Sequence, residues 1–173
     1  MILILLGPPG AGKGTQAKLL SAELKVPHVS TGDMFRDHAA RGTELGKKVK
    51  AIMASGGLVT DDVTNEMVKE RLSRPDVAPG FILDGYPRTT PQAEFLASLL
   101  AGKQQSVTNV ISYEVPEELI VERISGRRSC PKCGAVYHVS ASPPQNSGYC
   151  DKDDAALVQR EDDKPEKVRE RMR

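Results

Sequence analysis

The feature that most constrains this chain is the order strand, glycine-rich turn, helix at its start, MILILLGPPGAGKGTQAKLLSAEL. The apolar run Ile2–Leu6 predicts a buried strand, and the amphipathic stretch Thr15–Leu24 predicts a helix. Between them the turn holds Gly7, Gly10, Gly12 and Gly14. Without a Cβ, glycine enters left-handed dihedrals at little cost, so such a turn can point its backbone N–H groups inward at an anion. The helix N-terminus adds partial positive charge and donors without intrahelical partners. Lys13 adds a full charge suited to a transferable phosphate. The pattern G-x-x-x-x-G-K-[ST] fits Gly7 to Lys13, but Gly14 follows the lysine and the hydroxyl arrives at Thr15. Gly10, Ala11, Gly12, Lys13, Gly14 and Thr15 are therefore the phosphate-binding candidates.

The remainder of the chain repeats the alternation. Lys25–Ser30 reads as a short strand, with Ser30, Thr31 and Asp33 offering capping oxygens to a helix over Met34–Arg41. Glu44–Ser55 resumes helical spacing, and a further helix capped by Thr60, Asp61 and Asp62 runs to about Ser73. The polar helical region near 30–60 reads as a small mobile insertion. Gly80–Leu83 and Val107–Val115 are strands, and Pro91–Leu100 and Glu117–Ser125 are helices. Strands alternating with helices predict an α/β fold: a parallel sheet with helices on both faces and the phosphate loop at the carboxyl ends of the strands. Asp84 follows the Gly80–Leu83 strand, where a magnesium-organising carboxylate belongs.

Cys130, Cys133 and Cys150 all fall in one segment, and their odd number argues against a disulfide framework. Cys130-Pro-Lys-Cys133 and Cys150-Asp-Lys-Asp153 share one spacing, which fits a tetrahedral Zn²⁺ site closed by a carboxylate. Asp151 and Asp154 compete for the fourth position, but only Asp153 repeats the first pair. The span is rich in Pro and Gly and poor in apolar residues, so a structural zinc is expected to hold it in order.

Arg36, Arg88, Arg123, Arg127, Arg160 and Arg171 lie beside turns or at helix edges. Singly, each reads as a solvated charge. Pooled, they suit phosphoryl transfer between anionic nucleotides, where catalysis is positioning and charge compensation. Lys plus Arg is 24 and Asp plus Glu is 23, and three Phe, four Tyr and no Trp leave little to stack bases on. That balance stands against a zinc-knuckle nucleic-acid-binding module with a non-catalytic P-loop, the competing reading. No apolar run approaches the roughly 18 residues of a membrane span. The chain reads as cytoplasmic, monomeric and indifferent to membranes.

Taken together, GPPGAGKGT at 7–15, STGDMFR at 30–36, GGLVT at 56–60, DGYPRT at 84–89 with Gln92, GRR at 126–128, CPKCGAVYH at 130–138 and QREDDKPEKVRER at 159–171 resemble the adenylate kinase family in its long, zinc-lid bacterial form. The resemblance implies a three-layer α/β/α P-loop core over 1–29, 60–125 and 164–173. It also implies a helical AMP-binding insertion over 30–59 and a zinc lid over 126–163. The implied activity is ATP + AMP ⇌ 2 ADP with Mg²⁺. On this likeness Thr31, Arg36, Gly57, Leu58, Val59, Gly85, Tyr86, Pro87, Arg88 and Gln92 hold AMP, with the Gln92 amide reading adenine. Arg123 and Arg127 come down with the lid onto ATP, Val136 and Tyr137 line that face, and Arg160 and Arg171 bridge toward the phosphates. A kinase of the same build preferring another monophosphate is the close alternative, against which Gln92 and the small Thr31 speak. Members of this type continue past the position of Arg173 with a last strand, a last helix and a backbone contact to the ATP adenine. The sheet is accordingly expected to lack an edge strand and not a central one.

Overall fold

A computed structural model describes residues 1–55 and 59–172, with side chains over 1–52 and 59–169. The chain divides into two compact units. The first comprises Met1–Gly7, Gly12–Met53 and Leu58–Glu114; the second comprises Pro8–Ala11, Ala54–Gly57 and Val115–Arg173.

The first unit is built on a parallel four-stranded sheet ordered β2-β3-β1-β4, from β1 (Ile2–Leu6), β2 (His28–Ser30), β3 (Phe81–Asp84) and β4 (Asn109–Ser112). Strands β1 and β3 are apolar at consecutive positions because both of their faces are covered, as parallel sheets require. Ile2, Ile4, Phe81 and Leu83 pack on one face against Val68 of α4 (Asp61–Arg71), Leu72 directly after it, and Leu96 and Leu100 of α5 (Thr90–Ala101). Leu3, Leu5 and Ile82 pack on the other face with Ala17 of α1 (Lys13–Leu24). The three-layer arrangement thus follows from a period of two along the strands.

Helix starts are set locally. Gly12, at φ 96°, stands immediately before α1, which begins at Lys13, two residues ahead of the expected Thr15. The Ser30 hydroxyl accepts from Asp33 N–H and caps α2 (Thr31–Ala40), so strand β2 runs into helix with no linker. Helix α3 (Glu44–Ser55) has its expected bounds. The Thr89 hydroxyl accepts from Gln92 N–H at the start of α5. Strand β2 is shorter than expected because Lys25 ends α1 in the left-handed region at φ 54°. Strand β4 has four exposed residues, with Val110 54% and Ile111 40% accessible, as the outer strand of the sheet.

In the second unit α6 (Glu117–Ser125) packs on α7 (Pro165–Met172) through Ile120, Ile124 and Val168. The antiparallel strands β5 (Arg127–Ser129) and β6 (Val136–His138) form a hairpin where the sequence reads as loop, each being too short to show a period. Among the described residues no helix is long and apolar enough to cross a membrane.

Leu83 is fully buried while Leu19 is 63% exposed. Leu83→Ala is expected to cost about 2–5 kcal/mol in urea unfolding, and Leu19→Ala less than about 0.5. Equal losses at the two positions would contradict this placement of the core.

Candidate functional site

The phosphate-loop candidates occupy the turn between β1 and α1. Gly7 has φ +132°, and a Cβ there would sit 2.6 Å from the Tyr113 carbonyl oxygen, so only glycine lets β1 turn out beside that backbone. The Lys13 ammonium donates to the Gly7 carbonyl at 2.8 Å, folding the side chain back along the turn. Helix α1 has no side-chain cap, which leaves its start to backbone donors.

Asp84 ends β3 with its register partners Leu5 on β1 and Ser30 on β2. Its Oδ2 lies 3.3 Å from where a Gly14 Cβ would stand, so the carboxylate reaches the first turn of α1. A Cβ at 14 would make a tight contact with that oxygen. The same Oδ2 accepts from His28 Nε2–H at 3.2 Å, an interaction the sequence reading did not anticipate. His28 is the register partner of Ile82, two residues before Asp84, so both side chains share one sheet face.

A second cluster gathers at the β3–α5 turn. The buried Thr31 hydroxyl donates to the Gly85 carbonyl at 2.9 Å, and Arg88 Nε donates to the same carbonyl at 2.8 Å. The Gln92 amide is 3% exposed; its Oε1 accepts from Arg88 N–H at 2.8 Å and its Nε2 donates to Asp61 at 2.7 Å. Tyr86, joined to Pro87 by a cis peptide bond, donates its hydroxyl to Asn65 at 2.5 Å. Burial first, and then the Asp61 carboxylate, push its pKa up to about 12, so it stays a neutral donor. Asp61, read from sequence as a helix cap, instead accepts from Thr89 and Gln92 and locks the cluster. Arg36 pairs with Asp33 one turn earlier on α2. Val59 packs beside Phe35, Val49 and Met67; Gly57, Leu58 and the side chain of Arg171 lie outside the described residues.

In the second unit Arg127 on β5 forms a two-pronged ion pair with Asp163, whose side chain is fully buried. Asp163 was missed in the sequence reading because it sits within the acidic run Glu161–Asp163, where nothing distinguishes it from its solvated neighbours. Arg123 is exposed in the last turn of α6, and Arg160 is half-buried just before Glu161. Val136 and Tyr137 are adjacent on β6, with Val136 the more exposed of the two.

Cys130, Cys133, Cys150 and Asp153 bring one ligand atom each to within 4.8 Å of one another. Cys133 Sγ is 3.5 Å from Cys150 Sγ, and Cys130 Sγ is 3.3 Å from Asp153 Oδ1. A tetrahedral ion with sulfur bonds of ~2.3 Å spaces its ligands by roughly 3.8 Å, so the set fits one cation. The two halves are built alike. Cys130 N–H bonds Ala135 O and Gly134 N–H bonds Cys130 O; Cys150 N–H bonds Ala155 O and Asp154 N–H bonds Cys150 O. Gly134 and Asp154, at matching places, are both left-handed, with φ 69° and 53°. Asp151 accepts from Gln145 N–H, and Asp153 is the carboxylate in the cluster. The Cys133 thiol beside it draws the Asp153 carboxyl down to about 2, and the carboxylate in turn pushes that thiol up to about 12.

The family model described as adenylate kinase matches residues 5–173. An adenylate kinase of Anaeromyxobacter dehalogenans strain 2CP-1 is 78% identical over 172 residues, covering 99% of this chain and 80% of that protein. Those of Oceanobacillus iheyensis and Kosmotoga olearia are 56% and 55% identical, over 99% and 100% of this chain and 80% of each relative.

Replacing Arg127 by Leu strands the buried Asp163 carboxylate and is expected to cost about 3–5 kcal/mol in chemical unfolding. Asp163→Asn, which keeps an acceptor for a half-exposed guanidinium, should cost clearly less. The reverse order would show that the pair does not depend on the burial of its acid.

Proposed function

The chain belongs to the adenylate kinase family, whose activity is reversible phosphoryl transfer from ATP to AMP, and from that premise we propose how its own residues divide the work. The observation that carries the reading is the meeting of Asp84 with Gly14 at the start of the lysine-led helix. Backbone N–H groups over Gly10–Thr15 and the Lys13 ammonium bind the ATP phosphates, for which Lys13 exchanges its bond to the Gly7 carbonyl. Asp84 Oδ1 has no hydrogen-bond partner among the described residues, while Oδ2 is tied to His28. A carboxylate so placed fits Mg²⁺, which retains waters and takes few protein oxygens. Bound with ATP, the ion neutralises charge developing on the phosphates.

Thr31, Arg36, Val59, Gly85, Tyr86, Pro87, Arg88 and Gln92 form the AMP side, together with Gly57 and Leu58. The Gln92 amide spends one N–H on Asp61 and one lone pair on Arg88 N–H. One donor and one acceptor remain, which are what the adenine N1 and N6 amino group require. This favours AMP over other monophosphates. Arg36 and Arg88 bind the AMP phosphate, and Arg123, Arg127, Arg160 and Arg171 compensate the charge of the transferring group. Val136 and the ring of Tyr137 line the face of the lid that meets ATP. The four-ligand cluster holds a structural zinc that orders a lid over 126–163, the core being 1–29, 60–125 and 164–173 and the AMP insertion 30–59. Closing such a lid excludes water that would otherwise take the phosphoryl group from ATP. The charge balance, 24 basic against 23 acidic residues, leaves no excess to attract nucleic acid or an anionic membrane, and the reading is completed by a cytoplasmic monomer.

A coupled assay with Mg·ATP and AMP should yield ADP, and competition among AMP, GMP, CMP and UMP should favour AMP. Lys13→Ala is expected to lower turnover on the order of 10²–10³-fold with unchanged circular dichroism; near-wild-type turnover would remove Lys13 from the mechanism. Chelation should release about one zinc per chain and lower the melting temperature. Unchanged heat stability after metal loss would argue that zinc is not structural.

A further inference from the structure

The ligand cluster has a polar neighbour that the nucleotide reading leaves unused. The Tyr137 hydroxyl lies 3.5 Å from Cys150 Sγ and accepts from Asp151 N–H at 2.9 Å. With that N–H supplying its acceptor side, the hydroxyl proton is directed at the sulfur. Tyr137 stands in the middle of β6, opposite Arg128 on β5, so one side chain ties the hairpin to the second knuckle.

The two knuckles differ in what meets their leading sulfur. Cys130 Sγ accepts from two donors, the N–H groups of Lys132 at 3.3 Å and Cys133 at 3.4 Å. Cys150 Sγ has the Cys133 sulfur and the Tyr137 hydroxyl as its neighbours, each at 3.5 Å, and of the two the hydroxyl is the one that is not itself a ligand. Donors on a metal-bound thiolate disperse its charge and fix the direction of its lone pairs. Where Cys130 is held by backbone donors of its own knuckle, Cys150 is met by a hydroxyl from the hairpin.

We propose that Tyr137 is a positioning residue of the metal clip, its hydroxyl orienting the Cys150 thiolate and anchoring β6 to the ion. This rests on the metal reading of the four-ligand cluster and gives Tyr137 a role separate from lining the nucleotide with its ring.

Tyr137→Phe keeps the ring and removes only the hydroxyl; Val139→Ala, at an exposed site just after the hairpin, serves as control. Zinc affinity is read by competition with a chromophoric chelator, and the cobalt-loaded proteins by their thiolate-to-metal charge-transfer band. The expected result is zinc binding weakened about 10–100-fold in Tyr137→Phe, with a shifted cobalt band, and neither change in Val139→Ala. Wild type that binds zinc while Tyr137→Phe binds it equally, with an unshifted band, overturns this role alone. Wild type that takes up neither metal overturns the clip itself and the role with it. Equal weakening in both variants also overturns the role, because the hairpin and not the hydroxyl would then be responsible.

Discussion

Pairing Leu5 of β1 with Asp84 of β3 is the constraint on which the first unit depends. In a parallel sheet the register of one pair sets where both strands end, and here both end beside α1. One slip would move Asp84 to the opposite face, away from Gly14, and would turn Leu3 and Leu5 out of the layer they share with Ala17. The apolar cores on the two sheet faces therefore hold the register, and through it the distance between a carboxylate and a lysine-led turn.

In both units, charged groups meet internal partners. Arg36 rests on Asp33, Arg88 on the Gly85 carbonyl, and Arg127 on buried Asp163. Lys13 likewise rests on the Gly7 carbonyl. Each partner limits how the cation can point and spares it a costly search for geometry. Arg127 differs from Arg36 because its acid is fully buried and has no water to turn to.

Much of this was legible in the residues. The strand-turn-helix start, the alternation that predicts a parallel sheet and the repeated cysteine spacing each depend on local order. The Asp153 ligand could be chosen because its knuckle repeats the first. What escaped depends on contacts between distant positions. His28 meets Asp84 across two strands, and Asp61 leaves its own helix start for Gln92, 31 residues away. Asp163 differs from Asp162 only in what surrounds it. The strands β5 and β6, three residues each, are stabilised by their pairing, and no propensity within either announces it.

The direct passage from β2 into α2 has a mechanical consequence. Ser30 is laddered to Asp84 in the sheet and caps the helix with its hydroxyl, and Thr31 is bonded to Gly85. Helix α2 is thus clamped at its root like a cantilever. At its far end the chain turns through Gly42, at a φ of +64°, and Thr43 bonds back to His38, so the beam is tied off there as well.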